Sequence, residues 1–169
     1  RRGAALHLVG ASTTLVVFAI WLGLSYGAAA WPIVLAITSV FALLYLLAPV
    51  AAAWLSRPFD RWGAWAAYAS PLLLAVFPVL VLIEPATATP WLLFGTLALL
   101  LLAMAWFALA RGASAVYFTA TAFALATEAL WSANYLTPAR LYAALVVYVV
   151  FALIYIAVPV AARRFDRDI

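Results

Sequence analysis

The chain has 169 residues, of which 71% are hydrophobic and only 8% charged, with a formal net charge of +4. A soluble domain is roughly 45–50% apolar and about 25% charged, and a globule this small cannot hide so much apolar surface from water. The composition therefore excludes a soluble enzyme, a nucleic-acid-binding protein and a disordered tail, and it makes lipid the solvent.

Six stretches reach the roughly 20 apolar residues that a helix needs to cross about 30 Å of hydrocarbon. They run 4–25, 32–55, 64–83, 91–110, 114–134 and 140–162. Helix is forced there, because a backbone in lipid must satisfy its own hydrogen bonds. The first stretch is too long for a secretory leader and is followed by further spans. Ser25-Tyr26-Gly27 ends it, and Trp31-Pro32 opens the second, with Pro where a helix start tolerates a missing N–H. Ser56 to Arg61 is a charged turn, and Glu84-Pro85 through Pro90-Trp91 is bounded by prolines. Arg111-Gly112-Ala113 is a minimal connection in which Gly112 suits a helix C-cap. Thr137-Pro138 has the form of an N-cap followed by Pro at N1. Pro71 and Pro78 interrupt the third stretch, and Pro49 and Pro159 sit near the ends of the second and sixth. Each removes a helical hydrogen bond, which builds curvature into a packed bundle.

Threading six spans places Arg1, Arg2, Arg57, Arg61, Arg111, Arg163, Arg164 and Arg167 on one side and only Arg140 on the other. That asymmetry puts both ends in the cytoplasm of a bacterial inner membrane. It also accounts for the basic pI of 9.8 without nucleic acid. Trp21, Trp31, Trp91 and Trp131 then fall near the outer boundary, and Trp54, Trp62, Trp65 and Trp106 near the inner one, as an aromatic belt requires.

With Arg111 laid over Arg1, a period of about 110 residues, the chain matches itself. Phe41-Ala42-Leu43-Leu44-Tyr45 matches Phe151-Ala152-Leu153-Ile154-Tyr155, Pro49-Val50-Ala51-Ala52 matches Pro159-Val160-Ala161-Ala162, and Trp21 matches Trp131. A four-residue gap then aligns Phe59-Asp60-Arg61 with Phe165-Asp166-Arg167. The expected architecture is one all-α transmembrane bundle of three hairpins. Residues 1–61 and 111–167 are same-orientation copies, and 62–110 is a linking hairpin. The charged ends read as those of a piece of a longer membrane protein.

The repeated Phe-Ala-Leu-x-Tyr-x-x-x-Pro-Val-Ala-Ala run resembles the DUF2339 group of bacterial multi-pass membrane proteins. So does Glu128-Ala129-Leu130-Trp131-Ser132 leading to Leu136-Thr137-Pro138-Ala139-Arg140-Leu141. The resemblance implies many serial spans and supplies no catalytic residues.

Glu128 is the one acidic residue inside an expected span, about 9 Å below its outer end. A carboxylate there costs several kcal/mol unless it is paired, protonated or wetted. Tyr117, Thr121, Glu128, Ser132 and Tyr135 share one helical face. Tyr148, on the next span, and Arg140, at its start, are candidate partners for the carboxylate. The repeat places Phe18 at the position of Glu128 and Ala30 at that of Arg140, so both charges occur in one copy and neither in the other. The candidate polar site is thus Glu128, Arg140, Tyr148, Ser132 and Thr121. His7 reads as an interfacial packing residue, with a proton relay as the sharper reading. Tyr155 and Tyr148 read as packing and inter-helix hydrogen bonds, with a quinone or lipid groove as the alternative.

Cysteine is absent and His7 is the only histidine, so the chain offers no disulfide, thiolate nucleophile or multi-His metal site. Phosphate-binding glycine loops, zinc-protease and nucleophile-elbow motifs are also missing, and no cofactor is expected. Three functions remain: a structural multi-pass module, a transporter or channel element using Glu128, and an enzyme acting on a lipid-linked substrate. A dry stripe around Glu128 favours the first, a polar cavity the second, and a lipid-open groove beside Glu128 and Arg140 the third. The expected partners are the lipid bilayer and further transmembrane helices of the same chain or complex.

Overall fold

A computed structural model describes residues 2–27, 30–55 and 65–164, and every regular element among them is helical. Arg1, Arg57, Arg61, Arg167 and the two aligned Phe-Asp-Arg runs lie outside the described residues, as do the side chains of His7, Trp62 and Trp65. The long helices are α1 (Arg2–Ser25), α2 (Trp31–Trp54), α5 (Pro90–Arg111), α6 (Ser114–Tyr135) and α7 (Leu141–Arg164). Between α2 and α5 lie two shorter ones, α3 (Ala69–Leu72) and α4 (Val76–Ile83). Helix therefore occupies all six apolar stretches. Three segments are long and apolar enough to cross a membrane by length and composition: Trp31–Trp54, Pro90–Arg111 and Pro138–Arg164. α6 matches α5 in length at 22 residues, but its hydroxyl, Glu128 and Asn134 side chains dilute its apolarity.

The third stretch is broken in the way its prolines dictate. 3-10 turns at Trp65–Tyr68 and Leu73–Ala75 alternate with α3 and α4. Pro78 has no N–H for the carbonyl of Leu74, and the tighter winding of the Leu73–Ala75 turn falls at that gap. Pro49 and Pro159, by contrast, lie inside unbroken 24-residue helices.

The chain divides into two compact units, 1–73 and 74–169. In the first, α2 buries Val34, Leu35, Thr38, Ala42, Tyr45, Leu46 and Pro49, the i, i+3, i+4 spacing of one helical face. The segment 65–72 packs on this helix, and Ser70 donates its hydroxyl to the Ala42 carbonyl at 2.7 Å. The small Ala42 permits that approach. α1 also touches 65–72. Its Thr14 donates to the Gly10 carbonyl at 2.9 Å, and Thr14 Oγ1 and the Tyr45 hydroxyl are hydrogen-bonded at 2.7 Å.

In the second unit, α5 is the central helix, flanked by α6 and α7, while α4 packs on α6. α5 buries Leu93, Phe94, Leu97, Leu101 and Met104 among others. Its C-terminus closes on Gly112 at φ 67°, the left-handed cap expected from the sequence, with Ala113 N donating to the Ala108 carbonyl. The connection is short enough to make α5 and α6 antiparallel neighbours.

Candidate functional site

α6 carries the polar stripe, and its hydroxyls show first how a helix in an apolar setting treats them. Thr127 and Ser132 donate to the carbonyls one turn back, Phe123 and Glu128, at 2.7 and 2.5 Å. Ser132 has then spent its only proton, so the Tyr148 hydroxyl, 2.5 Å away, is the donor to Ser132 Oγ. One level along, the Tyr155 hydroxyl donates to Glu128 Oε1 at 2.6 Å. Tyr148 and Tyr155 lie seven residues apart on one face of α7, and each bridges to α6 as a rung. Few backbone contacts join α6 and α7, so the long phenol side chains supply the link. Glu128, Ser132, Tyr148 and Tyr155 are all half-buried.

Two expectations about Glu128 are corrected by this geometry. Its partner is Tyr155, not Tyr148, because Tyr148 is held by Ser132. Arg140 does not reach down to the carboxylate either. Its Nη1 donates to the Tyr135 carbonyl at 3.2 Å, capping the C-terminus of α6 where the helix dipole favours a cation. Glu128 lies seven residues inside that end, roughly 10 Å away along the axis. Thr121 keeps its place on the stripe but joins no rung: its Oγ1 and the Tyr117 hydroxyl are buried without a hydrogen-bond partner. Tyr135 leaves the stripe for the other side, donating to the Val81 carbonyl at 3.1 Å.

Glu84, unassigned from the sequence, is explained by its turn. It is buried, and its Oε1 accepts from Ala86 N at 3.0 Å, capping the 3-10 turn Pro85–Ala88. Thr87 Oγ1 donates to the Glu84 carbonyl at 2.6 Å, and Trp131 Nε1 donates to the Thr87 carbonyl at 2.8 Å. Trp131 is fully buried, so its indole anchors this turn from inside the unit. Trp91 and Trp106 are exposed.

Sequence reasoning missed Tyr155 as the carboxylate's donor, although a signal existed. Tyr45, 110 residues earlier in a similar run, also reaches a polar side chain on the preceding long helix. Among the described residues no cluster of His, Asp and Glu can hold a metal. A groove of about 120 Å³ between α5 and α7 is lined by Trp91, Phe94, Gly95, Val147, Val150 and Phe151, none of them polar. Chemically, the site can hold a carboxyl group against a phenol and clamp two helices. It brings no nucleophile, base or cation to the carboxyl group. Compared with known proteins, the chain matches no family model, no curated sequence and no solved structure.

Proposed function

We propose that the chain is a multi-pass structural module of a bacterial inner-membrane protein: six spanning helices in three hairpins, both ends cytoplasmic, with no catalysis of its own. The observation that carries this reading is the engagement of Glu128 by Tyr155 beside the Ser132–Tyr148 rung. Glu128 and Ser132 of α6 are engaged by Tyr155 and Tyr148 of α7, which is how side chains hold helices together where lipid gives no hydrophobic drive. An apolar stripe on α7, including Leu145, Val149, Leu153 and Ile156, is exposed, a liability in water and an ordinary surface in hydrocarbon. The helix bounds support the repeat as well. α2 and α7 are both 24 residues long and begin at matching positions, Trp31 and Leu141. α1 and α6 end at matching positions, Ser25 and Tyr135. The resemblance to the DUF2339 group belongs to the same proposal.

A second reading, a transporter or channel element with Glu128 as proton or substrate site, draws on the unpartnered Tyr117 and Thr121 hydroxyls, which water entering along α6 would satisfy. One pair of variants separates the two. In the structural reading Glu128→Gln still accepts from Tyr155 and costs under about 1 kcal/mol, while Tyr155→Phe strands the carboxyl group and costs about 1–2 kcal/mol. Neither changes solute accumulation once folded protein is matched. Loss of accumulation in Glu128→Gln at unchanged stability overturns the structural reading in favour of transport.

A further inference from the structure

In the second unit Phe94 of α5 is seated between two rings. It meets Trp131 of α6 edge-on at 5.8 Å and Phe151 of α7 edge-on at 5.8 Å. Both rings are shut away, Trp131 at 0% and Phe151 at 1% exposure. The repeat places Trp21 of α1 and Phe41 of α2 at the same two positions. In the first unit, however, that pair is open. Trp21 is 37% exposed, and the two rings line a groove of about 360 Å³ together with Thr13, Thr14, Val17 and Phe18.

The faces of the second helices tell the same story. α7 buries Val147, Phe151, Ile154 and Val158, the face that α5 covers. Their counterparts on α2 are Ile37, Phe41, Leu44 and Ala48, none of which is buried, and only at Val34, the counterpart of the buried Ala144, do the two helices bury the same position. The buried face of α2 is a different one, already taken by 65–72. Among the described residues the first unit thus has two rings at the matching positions around a groove, without a helix that fills it.

We propose that the Trp21–Phe41 groove is the docking site of an apolar membrane helix of α5 chemistry, one that presents a single aromatic ring flanked by leucines. The inference rests on the membrane-module reading and names its partner. A second copy of this chain is a poor occupant, because its own Phe94 is already enclosed at 3% exposure. Lipid alone is a poor one too, since an acyl chain cannot offer the edge-on contact that two aromatic faces favour.

The absence of cysteine makes the test direct. Gly95 and Val150 line one groove in the second unit, and Val150 is the counterpart of Val40. The chain carrying Val40→Cys is placed in lipid nanodiscs with a synthetic peptide of the Pro90–Arg111 sequence carrying Gly95→Cys, and mild oxidant is added. Disulfide adduct is expected to form about tenfold faster than with a peptide that also carries Phe94→Ala. A Trp21→Ala version of the chain is expected to lose that preference. Equal rates for the two peptides, or linkage of the chain to itself ahead of the peptide, overturn the proposal. Incorporation into the discs is read before oxidation. A chain that fails to enter the bilayer sinks the membrane module itself, whereas a chain that enters but does not discriminate sinks only the docking site.

Discussion

Replacing Phe94 by Ala tests the packing and the solvent together. The ring is enclosed between Trp131 and Phe151, with two edge-on contacts at 5.8 Å. In a water-soluble core such a truncation costs about 3–5 kcal/mol, because lost transfer energy adds to the void. In a bilayer the transfer part vanishes, since the unfolded reference already lies in hydrocarbon as apolar as the core. What remains is the pair of aromatic contacts, about 0.5–1.5 kcal/mol each, with whatever void does not collapse, giving a loss of about 1–3 kcal/mol. Reversible unfolding in bicelles or mixed micelles measures it. A double-mutant cycle with Phe151→Ala should be sub-additive, because the two changes delete the same contact. A loss above about 4 kcal/mol would mean that lipid is not the reference solvent, and a loss near zero that the ring is not seated at all.

Four further outcomes are expected. Trp131→Phe keeps the ring contact but removes the donor to the Thr87 carbonyl; it should cost about 1 kcal/mol and speed amide exchange in the turn 84–89. Gly112→Ala should cost about 1–2 kcal/mol from the left-handed backbone alone, because a Cβ there meets nothing within 4 Å, and Gly112→Asn should recover part of that loss in thermal unfolding. Ser132→Ala and Tyr148→Phe delete one and the same rung, so each should cost about 0.6 kcal/mol and the double variant no more than the worse single one, as a mutant cycle will show. Thr89→Cys should react with impermeant thiol reagent from outside the cell and Ala113→Cys only after permeabilisation; the reverse pattern would invert the arginine-based orientation.

How much of this was legible in the sequence depends on the kind of interaction. The ends of helices are local chemistry. Gly112 caps α5 in the left-handed conformation, Pro85 opens the 3-10 turn, and Pro90 starts α5, each as its own backbone preference dictates. The corrected parts of the polar site, Tyr155 in place of Tyr148 and Arg140 on the end of α6, depend instead on how each helix is rotated about its axis. Rotation is read from hydrophobic periodicity, and periodicity needs a polar side for contrast. α2 and α7 have apolar residues nearly all round, because the exposed face is as apolar as the packed one.

The two helices show how little that leaves to read. Their aligned sequences share Phe-Ala-Leu, Tyr and Pro-Val-Ala-Ala at matching positions, yet they bury different faces. α2 buries Thr38, Ala42, Tyr45 and Pro49, whereas α7 buries Val147, Phe151, Ile154 and Val158, each one position short of the match, and only Val34 and Ala144 coincide. One residue is about 100° of rotation, so similar strings serve two packing surfaces according to which neighbour arrives. In α2 the neighbour is 65–72, with Ser70 on Ala42; in α7 it is α5, with Phe94 on Phe151. A helix with two usable faces can meet one neighbour on each. Glu128 fits the same logic. Phe18, 110 residues before Glu128, carries no charge and lines an open groove, while Glu128 accepts from the half-buried Tyr155 of α7. The charge is tolerated where rotation of the neighbouring helix supplies a donor, and no property of α6 alone foretells that.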